Sequence, residues 1–139
     1  MLNITEICRS YEEIVDTFGC QTILEADDND YQGDSYKLLK NTAGNYGILI
    51  FGWGSCSGCD ALQAIVDYIS IQIPEQRKEQ ILRELTELRD QMYSSITWRS
   101  RNEMVEYITG KQFDLEWYYY RDGGRKFITM LEDYFNIKK

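Results

Sequence analysis

Two strand-like runs, Ser35 to Lys40 and Tyr46 to Trp53, stand either side of Asn41-Thr42-Ala43-Gly44-Asn45. Glycine and asparagine tolerate the backbone geometry that reverses a chain, so the pattern predicts an antiparallel hairpin. Within the second run Ile48 and Ile50 share one face while Leu49 and Phe51 share the other. Successive strand side chains point to opposite faces, and both faces here are apolar. This strand therefore expects cover on both sides. Thr22-Ile23-Leu24 reads as a further short strand. Leu115 to Tyr120 reads as a strand too, because aromatic residues favour the pleated surface.

The remaining apolar residues recur at helical spacing. A first helix is expected from about Thr5 to Phe18, with Asn3 and Glu6 as its capping pair, Gly19 at its end, and Ile7, Tyr11, Ile14 and Phe18 on one face. A second starts near Cys59 or Asp60 and turns Leu62, Ile65, Val66 and Ile69 inward. Pro74 opens a long third helix, striped by Ile81, Leu82, Leu85, Leu88 and Met92. Ser100 and Glu103 cap a fourth that ends at Gly110, with Met104, Tyr107 and Ile108 inward. Asp122-Gly123-Gly124 is expected to break the chain before a last helix carrying Phe127, Leu131, Tyr134 and Phe135. The sum is an α+β fold: a small antiparallel sheet of about three to four strands packed with about five helices. With no internal repeat or linker, residues 1–139 are expected to form one globular domain.

Charge and composition narrow the function. The chain has 23 acidic residues against 15 basic ones, a net charge of -8, and no histidine. Missing histidine removes Ser-His-Asp and Cys-His catalysis, His-ligated zinc and the usual near-neutral base. Excess negative charge repels nucleic-acid phosphates and anionic membranes, and is attracted to basic grooves on proteins. It also serves simply as a solubility device. Direct nucleic-acid binding and membrane attachment are thus disfavoured, and a protein partner with a basic surface is favoured. The candidate contact residues are Glu25, Asp27, Asp28, Asp30 and Asp34. Asp28, Asp30, Gln32 and Gly33 imitate the opening of a calcium loop, but its twelfth position is Leu39 where a glutamate is needed. The N-terminal residues show no export signal. Four cysteines in such a chain predict a reducing, cytoplasmic setting.

Cys56-Ser57-Gly58-Cys59 sits between an apolar strand and a helix start. Unpaired N–H groups there lower a thiol's pKa, so Cys56 and Cys59 are candidates for redox exchange. At these two positions the chain resembles the redox turn of the thioredoxin family. It departs elsewhere: the only proline, Pro74, lies too close for the family's cis-proline, and Asp60 would repel a neighbouring thiolate. Zinc is an alternative occupant of Cys56 and Cys59, although Cys8 and Cys20 do not form the second knuckle a strong zinc signal requires. A structural account competes with both. In it Gly54, Ser57, Gly58 and Asp60 build the turn, Ser57 or Asp60 caps the following helix, and no cofactor is bound. Trp98-Arg99-Ser100-Arg101 and Arg121 to Lys126 are the basic islands. Their arginine–aromatic pairs suit base stacking or ordinary surface packing.

Tyr31-Gln32-Gly33-Asp34, Phe51-Gly52-Trp53 and Gly54-Ser55-Cys56-Ser57-Gly58-Cys59-Asp60-Ala61-Leu62-Gln63 together resemble small uncharacterised bacteriophage and bacterial proteins carrying YxGD followed by GSCSGCDALQ. The resemblance implies a phage or prophage setting within a bacterial cytoplasm, and transfers no catalytic residue. The expectation is a non-enzymatic, acidic interaction protein, a phage-type inhibitor of a host defence or nucleic-acid-handling protein. The alternative is a thiol protein using Cys56 and Cys59.

Overall fold

A computed structural model describes residues 4, 6–28, 33–54, 60–66, 75–110 and 121–137. In chain order its elements are α1 (Tyr11–Asp16), β1 (Gln21–Asp27), β2 (Gly33–Lys40), β3 (Tyr46–Trp53), α2 (Ala61–Val66), α3 (Glu75–Ser94), α4 (Arg101–Thr109) and α5 (Asp122–Tyr134). The fold is α+β. Among the described residues three strands form an antiparallel sheet in the order β1-β2-β3. The expected strand at 115–120, Ile69 of the second helix, and the Asn3 cap lie outside the described residues.

The hairpin forms because Asn41 closes it from both ends. Its carbonyl accepts from Gly44 N at 3.0 Å and its side chain accepts from Asn45 N at 2.9 Å. Gly44 takes φ 84°, where a Cβ would be strained. From that turn β2 and β3 pair from Lys40–Tyr46 to Gly33–Trp53 without slip. β1 carries a bulge between Thr22 and Leu24, which lets the adjacent Ile23 and Leu24 both pack on the α4–α5 side.

Helices cover both faces of the sheet. Leu39, Leu49 and Phe51 join Ile14, Val15, Phe18, Leu62, Ile81, Leu85 and Met92 on the side of α1, α2 and α3. Tyr36, Leu38, Ile48 and Ile50 join Met104, Ile108, Phe127 and Leu131 on the side of α4 and α5. Each fully buried leucine stabilises the folded state by about 1.5–3 kcal/mol through removal of apolar surface from water. The central strand buries Tyr36, Leu38 and Leu39 completely, and with them one cation, Lys37.

α1 is shorter than its apolar spacing suggests. Ser10 caps it, with Oγ accepting from Glu13 N at 3.2 Å, so the helix begins at Tyr11. Ile7 and Cys8 still reach the core, but from non-helical backbone. α4 carries the full reciprocal cap: Ser100 Oγ accepts from Glu103 N at 3.2 Å, and Glu103 Oε1 accepts from Ser100 N at 3.0 Å. Asp122-Gly123-Gly124 does not break the chain. These residues form the first turn of α5, and both glycines are buried. The reason is close approach: a Cβ on Gly123 would lie 2.4 Å from Asp27 C and 2.5 Å from Asp28 N. Glycine is used here to seat a helix end directly on the end of a strand.

Candidate functional site: the acidic face and the base of the cysteine loop

Lys37 lies on the α1 side of the central strand, 2% exposed. A buried ammonium is unfavourable unless paired. Its Nζ donates to Glu12 Oε1 on α1 at 2.8 Å and to Glu25 Oε2 on β1 at 2.9 Å. Desolvation pulls the lysine pKa down, but the two carboxylates outweigh it and the net shift is upward. The carboxylates themselves remain in water, at 65% and 60% side-chain exposure. One hidden cation thus holds two surface acids side by side. Glu13 and Asp16 of α1 and Asp27 of β1 are exposed beside them. Along α3, by contrast, Arg77, Lys78 and Arg83 intersperse with Glu79, Glu84 and Glu87, so that helix carries no comparable excess.

The acidic stretch named from sequence divides. Glu25 is the exposed lysine partner just described. Asp27 is exposed and accepts from the Ser35 hydroxyl. Asp28 is not a surface acid: its side chain is 6% exposed and faces inward. It accepts from Gly123 N at 3.1 Å, Asp34 N at 2.9 Å and the Tyr36 hydroxyl at 3.1 Å, with Arg121 3.6 Å away. Those donors occupy the carboxylate and withdraw it from any partner. Asp34 is half-buried; burial pushes its carboxyl upward, Arg121 opposes, and Asp28 adds to the rise. Asp30 lies outside the described residues.

Of the cysteine loop, Cys56, Ser57, Gly58 and Cys59 lie outside the described residues, whereas both ends are held. Asp60 is 6% exposed and sits at the start of α2. Its Oδ1 accepts from Leu62 N at 3.0 Å, Gln63 N at 3.2 Å and the Tyr11 hydroxyl at 2.6 Å, and its Oδ2 from Gly54 N at 3.0 Å. Gln63 Nε2 returns to the Gly54 carbonyl at 2.9 Å. Burial, and then the bond to Asp60, drive the Tyr11 phenol far above its ordinary range, so it remains a donor.

Two consequences bear on thiol chemistry. The free N–H groups that would stabilise a thiolate at the start of α2 include those of Leu62 and Gln63, and Asp60 takes both. Its carboxylate also places negative charge there. Of the remaining cysteines, Cys8 is buried and Cys20 half-buried, and burial raises both thiols. Among the described residues no group of three Cys, Asp or Glu side chains converges to hold a metal ion. No described helix is long and apolar enough to cross a membrane.

Compared with known protein families, curated proteins and solved structures, the chain matches none. Sequence reasoning passed over the α1 acids Glu12, Glu13 and Asp16, although Glu12 and Lys37 were open to being paired. The missing signal was that an odd-numbered lysine in β2 faces the same side as Leu39. It also passed over Tyr11 as the partner of Asp60.

Proposed function

We propose that this chain is a small, non-enzymatic interaction protein whose α1–β1 carboxylates dock against a basic groove on a protein partner. The partner would be a nucleic-acid-handling or defence protein of a bacterial host, with the chain acting as a phage-type inhibitor in the cytoplasm. One observation carries the reading. Exposed Glu12, Glu13, Asp16, Glu25 and Asp27 lie on one side of the sheet, and the lysine among them is buried beneath. A predominantly negative field, offset in part by exposed Arg9 just before α1, steers a positive partner and sets its orientation. The phage context rests on the resemblance of the GSCSGCDALQ stretch, and the partner's nucleic-acid setting on the attraction of an acidic surface to basic grooves.

The test is binding to a nucleic-acid-binding protein with a basic groove, measured across ionic strength. Glu13→Gln with Asp16→Asn is expected to weaken binding several-fold at low salt. The loss should shrink toward physiological salt, where charges more than about 8 Å apart are largely screened. Glu12 and Glu25 should be left in place, since removing them strands a buried lysine and confounds binding with folding. An affinity indifferent to salt and to both substitutions would overturn the proposal.

A further inference from the structure

The opposite face of the sheet holds a cationic cluster on this otherwise acidic molecule. Tyr46 at the start of β3 and Tyr134 at the end of α5 bring their hydroxyls to 3.1 Å. Lys40 Nζ lies 5.3 Å from the centre of the Tyr46 ring. Arg101, the first residue of α4, lies 5.9 Å from the Tyr134 ring and 5.1 Å from the Phe135 ring. Arg99 is fixed behind them by a two-way backbone bridge to Tyr46, with N···O distances of 2.7 and 2.8 Å, and stacks on Tyr107 at 3.8 Å.

Among the described residues Lys40 and Arg101 form no ion pair, while Arg99 feels the Glu103 carboxylate without a salt-bridge contact. Among the described residues the ion pairs are made by Lys37, Arg89, Arg121 and Arg125, and none involves Lys40, Arg99 or Arg101. That is unexpected in a chain with 23 acids, because long-range attraction should recruit one. The hydroxyl pair is polarised as well. The bond with Tyr134, and after it Lys40 and Arg101, pull the Tyr46 phenol below its ordinary range, while Tyr134 is raised by the same bond. Either hydroxyl can donate within the pair, and the second is then left to a ligand.

We infer that Lys40, Arg101 and the Tyr46–Tyr134 hydroxyl pair form a binding site for a phosphate monoester dianion. A dianion balances the lysine and arginine together, whereas a carboxylate leaves one charge unanswered. The guanidinium offers paired N–H groups to two phosphate oxygens, the ammonium a point charge, and the phenols neutral hydrogen bonds. The Tyr134 and Phe135 rings beside Arg101 restrict its side chain, which lowers the cost of ordering it.

Titrating the full chain with phenyl phosphate while following the tyrosine ring resonances tests this. The expected result is saturable shifts at Tyr46 and Tyr134. Lys40→Gln and Arg101→Gln should each weaken the affinity roughly tenfold, the scale of one charge-assisted contact. Both side chains are at least partly exposed, and unchanged thermal melting checks that each variant folds. Shifts reproduced by equal ionic strength of sodium chloride, or binding unaffected by either substitution, would overturn the site. Tighter binding of a short oligonucleotide, whose phosphodiesters carry one charge each, would overturn the monoester assignment.

Discussion

Gly123→Ala should destabilise the protein by about 3 kcal/mol or more, although alanine is the better helix former. Intrinsic propensity favours alanine over glycine inside a helix by about 1 kcal/mol. Here that gain is overridden. The new Cβ would sit 2.4 to 2.6 Å from the backbone of Asp27 and Asp28, which cannot swing aside as a flexible side chain would. Overpacking of this kind costs about 1–3 kcal/mol. Displacing α5 also lengthens the bond from Gly123 N to the Asp28 carboxylate, and a bond to a charged group contributes about 1.5–3 kcal/mol. Urea unfolding of the two proteins measures the difference. Gly44→Ala is the useful contrast. Its φ of 84° is strained for alanine, yet nothing lies within 4 Å, so the expected loss is only about 1 kcal/mol. Equal effects at the two positions would remove the close-approach argument.

Asp60→Ala is expected to cost about 3–4 kcal/mol, lowering the melting temperature by roughly 10 °C. Loss of the cap alone accounts for about 1 kcal/mol. The rest comes from donors left without an acceptor, namely the buried Gly54 N and the half-buried Tyr11 hydroxyl. Tyr11→Phe removes one of those donors and should cost about 1 kcal/mol. Combining it with Asp60→Ala should then cost less than the sum, since the orphaned hydroxyl is gone. Additive losses in that cycle would mean the two side chains do not act as one unit. The same substitution bears on the cysteines: with the carboxylate removed, Gln63 N loses the Asp60 acceptor and Leu62 N keeps the Tyr11 hydroxyl. Thiol reactivity that rises in Asp60→Ala would show that the native carboxylate suppresses it.

How much of this could be read from the chain depends on how local each cause is. The hairpin at Asn41–Asn45, the two-sided strand β3 and the Ser100–Glu103 cap follow from neighbours a few residues apart, and each appears as expected. The start of α1 did not follow. Asn3–Glu6 and Ser10–Glu13 are both capping patterns, and the structure starts α1 with the second. Asp122-Gly123-Gly124 has the composition of a chain breaker. Its meaning changes only through a contact 95 residues away, at Asp28. Composition likewise marks the Glu25–Asp34 stretch as acidic without revealing that Asp28 faces inward. Asp60 was open to reading as a cap, but its bond to Tyr11 spans 49 residues and carries no local mark.

The direct meeting of Gly54 with Asp60 has a consequence for what lies between them in the chain. When two points are already pinned, closing the interval costs entropy only logarithmically in its length, about 0.6 kcal/mol per doubling. Chain length between these anchors therefore adds little to the entropy of closing them, and the Gly54–Asp60 bond sets where the interval must begin and end.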